Sequence, residues 1–167
     1  MPIEIVPASE PYVEGFHCCL DGVAREKKYL IFQEAPPLER MREFVLGNIR
    51  NDVPQFFAVE DGIVVGWCDI TTPPYCALAH SGSLGMGLDK EHRMQGIGRR
   101  LLSATLDKAK ANGLERIELG VYTANAPAIR LYESFGFTRE GMKRHHVKID
   151  GAFFDSILMA LFFDQPG

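Results

Sequence analysis

The sequence predicts a single α/β (α+β) domain over residues 1–167, with about seven strands and four helices. Three observations predict it. Apolar spacing switches repeatedly between the two-residue period of strands and the 3.6-residue period of helices, in the order β-α-α-β-β-β-α-β-α-β-β. Two Asp-Gly pairs, Asp61-Gly62 and Asp150-Gly151, sit between apolar runs, a strong short-range sign of a hairpin. A chain of 167 residues, 46% hydrophobic and 24% charged, can build one real core and hardly two.

Ile3–Val6 alternates weakly and reads as a first strand. Residues 9–27 are helix-compatible: Ser9 can cap, Pro11 sits in the first turn, and Val13, Phe16, Leu20 and Val23 recur on one side. Tyr29–Phe32 reads as a connector running from exposed to buried. Pro36-Pro37 open a second helix with Leu38, Met41, Phe44, Val45 and Ile49 along one face. Strands at 55–59 and 63–67 flank the first Asp-Gly turn. A loop with Pro73-Pro74 leads to a strand at 82–89. The third helix, 96–112, lines up Gly98, Leu102, Leu106 and Ala109, and Gly113 stops it. Arg116–Tyr122 alternates as a strand, 125–135 is a fourth helix, and 137–149 with 152–162 form a terminal hairpin.

The chemistry is concentrated in Arg93-Met94-Gln95-Gly96-Ile97-Gly98, between the strand ending at Leu88 and the third helix. A strand feeding a Gly-rich turn that opens a helix offers unpaired N–H groups and a positive dipole end to an anion. The glycines let a phosphate approach the backbone, and Arg93 and Arg99 are expected to add charge. A dinucleotide fingerprint would need a third Gly where Leu101 stands, even though Glu118 lies twenty residues beyond Gly98. A P-loop is excluded because no Gly-Lys-Ser/Thr follows.

The Arg-x-x-Gly-x-Gly spacing resembles the pyrophosphate-binding signature of the GCN5-related N-acetyltransferase (GNAT) superfamily. About thirty residues on, Asn125-Ala126-Pro127-Ala128-Ile129-Arg130-Leu131-Tyr132-Glu133-Ser134-Phe135-Gly136-Phe137 resembles that superfamily's second signature, an Asn-opened helix carrying a Tyr and ending in Gly-Phe. The resemblance covers roughly residues 55–162, and the tail, from Gly141–Arg144 through Asp155 and Met159, is similar to that of small bacterial members. It implies the GNAT fold, a mixed sheet splayed at the cofactor, with acetyl-CoA as acyl donor and no metal. Cofactor contacts are then expected from Met86, Gly87 and Leu88 at the thioester, from Arg93, Met94, Gln95, Gly96, Ile97, Gly98 and Arg99 at the pyrophosphate, and from Asn125, Ala128 and Tyr132 along the pantetheine.

Asn125, Ala128 and Tyr132 share one helix face, and the small Ala leaves room beside the Tyr. A phenol, with an ordinary pKa of about 10, is protonated at neutral pH, so Tyr132 is expected to protonate the departing thiolate. The base is open among three choices. The strand Ser81–Leu88 has no carboxylate, which leaves His80 at its start, Asp69 on the preceding strand, or a water chain. The acceptor pocket is expected to draw on Glu26, Tyr29 and Phe32, together with Glu34 and the basic run Lys143–Lys148, whose default reading is a solvated strand face.

Net charge is −4, a poor starting point for nucleic-acid binding, where phosphate neutralisation dominates. No apolar run is long enough to span a membrane and the first residues lack a basic start with an apolar core, so a cytoplasmic protein is expected. Cys18, Cys19, Cys68 and Cys76 form no Cys-x-x-Cys and are expected to be reduced thiols; a zinc site from Cys68, Cys76 and His80 is the weaker reading. The favoured activity is acetyl transfer to a small amine such as an amino acid, peptide or antibiotic. The alternatives are a non-catalytic acyl-CoA sensor module and a protein N-terminal acetyltransferase. Homodimerisation through the terminal hairpin edges is also expected.

Overall fold

Seven strands and four helices form in the predicted order. In the computed structural model, which describes residues 2–163, these are β1 (Glu4–Pro7), α1 (Val13–Arg25), α2 (Leu38–Arg50), β2 (Gln55–Glu60), β3 (Ile63–Thr71), β4 (Ser81–Leu88), α3 (Ile97–Ala111), β5 (Arg116–Tyr122), α4 (Ala126–Ser134), β6 (Thr138–Ile149) and β7 (Ala152–Phe162). The strands hydrogen-bond in the order β1-β2-β3-β4-β5-β7-β6, an open sheet that is mixed because β4 runs parallel to β5. The chain divides into two compact units: residues up to Thr71 with Gly85–Asn112, and Thr72–Leu84 with the chain from Gly113.

In the first unit, β1, β2 and β3 are antiparallel, with Val6 opposite Phe57 and Phe57 opposite Trp67. The α1 stripe Val13, Phe16, Leu20 and Val23 is buried as the periodicity requires. The Phe16 ring lies 5.0 Å from that of Phe57 and 5.7 Å from that of Trp67. Strand alternation turns the neighbouring Gly66 to the other face, where a Cβ would press on Leu88 and on Leu101 of α3. Gly87 of β4 is a glycine because of Trp67: a Cβ there would overlap the indole ring.

The second unit pairs β4 with β5 over Ser81–Ser83 and Arg116–Glu118 only. β5 then pairs with β7 along its whole length, from Arg116↔Phe162 to Tyr122↔Ser156. The Asp150-Gly151 turn has positive φ at both positions (50° and 81°), and so does Asp61-Gly62 (50° and 80°), as two-residue hairpins of the primed type require.

Four expectations are corrected. The first helix is preceded by a 3-10 turn at Glu10–Tyr12, and the Ser9 side chain makes no capping hydrogen bond. The connector runs the other way: Tyr29 and Leu30 pack on the core while Ile31 and Phe32 are exposed. On α2, Phe44 and Ile49 are exposed and the polar Asn48 is buried, because its amide meets Gln55 of β2. β3 runs four residues past the predicted end, through a buried Asp69, to Thr71.

Gly87→Ala is expected to lower unfolding free energy by about 1–3 kcal/mol through overpacking against Trp67. Gly22→Ala on α1, where nothing lies within 4 Å of the added Cβ, is expected to raise it by up to about 1 kcal/mol. Urea denaturation of both variants checks the contrast; equal effects would contradict the Trp67 packing.

Candidate active site

The Gly-rich loop is built from backbone rather than side-chain charge. β4 ends at Leu88, a 3-10 turn spans Lys90–His92, and Gly96 caps α3 in the left-handed region at φ 81°. Nothing stands within 4 Å of a Cβ at Gly96, so the backbone conformation, not space, calls for glycine there. Met94 also has positive φ (61°) and its side chain is 83% exposed. Arg100 N–H donates to Gly96 O at 3.3 Å, and ahead of it the Ile97 and Gly98 N–H groups lie too early in the helix for an intrahelical acceptor. The first turn of α3 carries no acidic side chain, and Arg99 is exposed beside it. Ile97 and Gly98 are buried and anchor the turn. Gln95 donates to the Glu91 carbonyl at 3.0 Å.

Arg93, the first residue of the motif, is tied to its neighbours in the first unit. Its Nη1 and Nη2 donate to the two Glu26 carboxylate oxygens at 3.0 and 2.7 Å. Nε and Nη2 donate to the Leu88 carbonyl at 3.1 and 2.9 Å, and the guanidinium sits 4.6 Å from the centre of the Tyr29 ring. The guanidinium is paired with Glu26, whose hydrogen bonds chiefly raise its pKa above the ordinary arginine value. Glu26 and Tyr29, expected to bind substrate, are brought together as the partners of Arg93. Phe32, the third of that set, is 44% exposed on the same connector.

One residue earlier, His92 places Nε2 2.9 Å from Glu60 Oε2 and Nδ1 3.1 Å from Asp89 Oδ2. Two carboxylates facing both ring nitrogens favour the imidazolium, and the Glu60 bond chiefly raises its pKa above the ordinary histidine value. This second fastening of the loop was not read from the sequence. Asp89 at i−3 was visible there, but Glu60, on a distant strand, was not.

The same unit holds a buried polar line. Asn48 Nδ2 donates to Gln55 Oε1 at 3.1 Å, and Gln55 Nε2 donates to Asp69 Oδ2 at 3.3 Å. Burial pushes the Asp69 carboxyl up to about 7, with the Gln55 bond pulling the other way. Met86, Gly87 and Leu88 form the half-buried end of β4 beyond Gly85.

In the second unit, Asn125 caps α4, its Oδ1 accepting from Ala128 N–H at 3.4 Å. Tyr132 is buried, its ring 5.7 Å from that of Phe137. His80 is exposed in the turn before β4, and its carbonyl accepts from Glu115 and Arg116 N–H. Lys143–His146 lie on the exposed part of β6, where the register with β7 breaks between Lys143 and Val147. Glu34 is exposed near Arg25. Among the described residues, no group of three or more His, Cys, Asp or Glu could hold a metal ion, and the four cysteines are free. No helix among them is long and apolar enough to cross a membrane.

Residues 23–137 match the acetyltransferase (GNAT) family, which is more than half of the chain. The chain belongs to the GNAT acetyltransferases. Among the curated members it resembles, the N-alpha-acetyltransferase RimI of Mycobacterium tuberculosis is 37% identical over 95 residues, 54% of this chain and 56% of that protein. The L-amino acid N-acetyltransferase AaaT of Escherichia coli K12 is 31% identical over 113 residues, 66% of this chain and 69% of its own length. The match thus spans little more than half of the RimI relative. The GNAT fold is shared with the GNAT-family acetyltransferase of Streptococcus pneumoniae (TM-score 0.90, 25% identity, 97% and 100% of the two chains). It is shared also with the phosphinothricin acetyltransferase of Sinorhizobium meliloti, solved in complex with acetyl-CoA (TM-score 0.90, 19% identity, 97% and 89%).

Glu26→Ala is expected to cost about 1–2 kcal/mol of stability by stranding the half-buried Arg93, the lower figure reflecting solvent screening. The His92 contribution is present in full below the unfolded-state pKa of about 6.5 and is lost as pH rises through its raised folded-state pKa. The destabilisation caused by His92→Gln, measured by urea midpoints, should therefore be larger at about pH 6 than at about pH 9; a pH-independent difference would contradict the imidazolium.

Proposed function

We propose that the chain is an acetyl-CoA-dependent N-acetyltransferase that moves the acetyl group to the primary amine of a small acceptor by direct attack in a ternary complex. One observation supports this reading beyond family membership: α3 opens on a left-handed Gly96, with the Ile97 and Gly98 N–H groups lacking an intrahelical acceptor and no acidic residue in its first turn, the donor set an anionic diphosphate needs. In this reading the backbone of residues 94–98, with Arg99, holds the pyrophosphate. Arg93 sets the shape of that loop through Glu26 and Tyr29 and does not itself touch phosphate. The N–H groups of Met86, Gly87 and Leu88 face the thioester, where fixed donors stabilise the oxyanion as it develops. Asn125 and Ala128 line the pantetheine arm, and Tyr132 protonates the leaving thiolate.

The acceptor is an amino acid, a peptide or an antibiotic-like amine. The RimI and AaaT relatives are named for N-alpha and L-amino acid acetylation, which supports an α-amine first. Phe32, exposed on the connector that also carries Tyr29, is the side chain proposed to meet it. The described end of the strand order at β6 supports a homodimer paired through the terminal hairpin. A cytoplasmic site of action fits this chemistry.

Acetyl-CoA should raise the thermal midpoint while NAD(P)H leaves it unmoved, and thiol release should follow addition of one class of amine. Tyr132→Phe should keep the acetyl-CoA shift and lose roughly 100-fold in kcat. Absence of any acetyl-CoA shift would overturn the reading; full activity in Tyr132→Phe would overturn the acid assignment alone.

A further inference from the structure

We infer that Asp69 is the general base of the transfer reaction proposed above, on which this inference rests, and that it meets the acceptor amine through an opening left by Gly85. Asp69 of β3 lies two residues beyond Trp67 and so faces the same side of the sheet, toward α1 and α2. Across on β4, Gly85 stands two residues before Gly87, the glycine that accommodates Trp67. A Cβ at Gly85 would lie 3.6 Å from Asp69 Oδ1, so the missing side chain uncovers the carboxyl. Gly85 itself is exposed while Leu84 before it is buried. Gln55 binds the other oxygen, Oδ2. Among the described residues no buried side-chain oxygen lacks a hydrogen-bond partner, which is the expected result if Oδ1 opens to the surface at Gly85.

The surroundings are those of a base rather than of a structural ion pair. Gln55, Asn48 and Gly85, from β2, α2 and β4, are all neutral, and no cation contributes to the carboxyl's titration. Its titratable neighbour is the Cys68 thiol, on the opposite face of β3, bonded to Thr105 of α3 and pushed well above the ordinary thiol range by burial. A structural role would be served as well by Asn, which could accept from Gln55 without burying a charge. A carboxyl raised to about 7 can take a proton and give it back near neutral pH. Asp69 also supplies what β4 lacks, a carboxylate, and does so next to Gly85, the residue before Met86.

The protons balance as follows. The acceptor arrives as R–NH3⁺ and gives one proton to Asp69. The amine lone pair forms the C–N bond, the C–S bond breaks, and its electron pair leaves on the CoA thiolate. The thiolate takes the phenol proton of Tyr132, and the second N–H proton, lost from nitrogen as the amide forms, passes through water to the Tyr132 phenolate and restores the phenol. Asp69 releases its proton to water.

The test compares wild type, Asp69→Asn and Gln55→Leu, reading the acetyl-CoA thermal shift and thiol release with a panel of L-amino acids and dipeptides from about pH 5.5 to 9. Asp69→Asn should keep the acetyl-CoA shift, lose about 100-fold or more in kcat, and lose the acid limb of the pH profile. Gln55→Leu removes a bond that favours the ionised carboxyl, so its acid limb should move to higher pH. That variant decides the matter if Asp69→Asn does not fold. Wild-type kcat and an intact acid limb in Asp69→Asn, or an unmoved limb in Gln55→Leu, would overturn the inference alone. A wild-type protein with no acetyl-CoA shift and no thiol release would overturn the transferase reading, and this inference with it.

Discussion

Arg93 holds three parts of the first unit in register: the carbonyl that ends β4, the residue that follows α1, and the loop in which it stands. The loop that follows contains two residues in the left-handed region, one of them the non-glycine Met94, and such backbone persists only where its surroundings over-determine it. A forked ion pair to Glu26, two bonds to Leu88 O and the Tyr29 ring provide that determination on one side. The His92 contacts with Glu60 and Asp89 provide it on the other. The consequence is chemical. With the arginine charge matched by Glu26, the proposed hold on a diphosphate rests on oriented N–H groups at the start of α3, whose strength does not depend on a mobile side chain.

The face of the sheet beneath α1 and α2 carries a second constraint. Trp67 fills the space against Phe16 and Phe57, and Gly87 lets β4 lie flat against it. Two residues before it, Gly85 likewise stands against β3, with a Cβ there 3.6 Å from the carboxyl oxygen of the buried Asp69. Packing and the proposed base thus share one geometric device: an absent Cβ on β4 opposite a side chain on β3.

Most of the architecture was legible because its signals are local. The Asp-Gly turns demand positive φ wherever they occur, and β5 reads correctly from Arg116 to Tyr122 because it alternates without interruption. The Gly96 turn and the Asn125 cap are likewise written in neighbouring residues. What was missed depends on partners remote in sequence. Asn48 is buried against a residue of β2, so the polar position takes the core slot that periodicity assigns to Ile49. The apolar run that marks β3 stops at Trp67, and its continuation through the charged Asp69 depends on Gln55 opposite it on β2. Glu26 and Tyr29 were picked out as site residues, but their link to Arg93, across more than sixty positions, has no sequence signature.

The central claim is that a diphosphate sits on the backbone of this loop while Arg93 stays with Glu26. A crystal structure with bound CoA tests it most directly. The account predicts phosphate oxygens within hydrogen-bond distance of N–H groups between Gln95 and Arg99, and an Arg93–Glu26 pair as it stands now. Phosphate bound elsewhere, or Arg93 swung from Glu26 onto the phosphate, would contradict it.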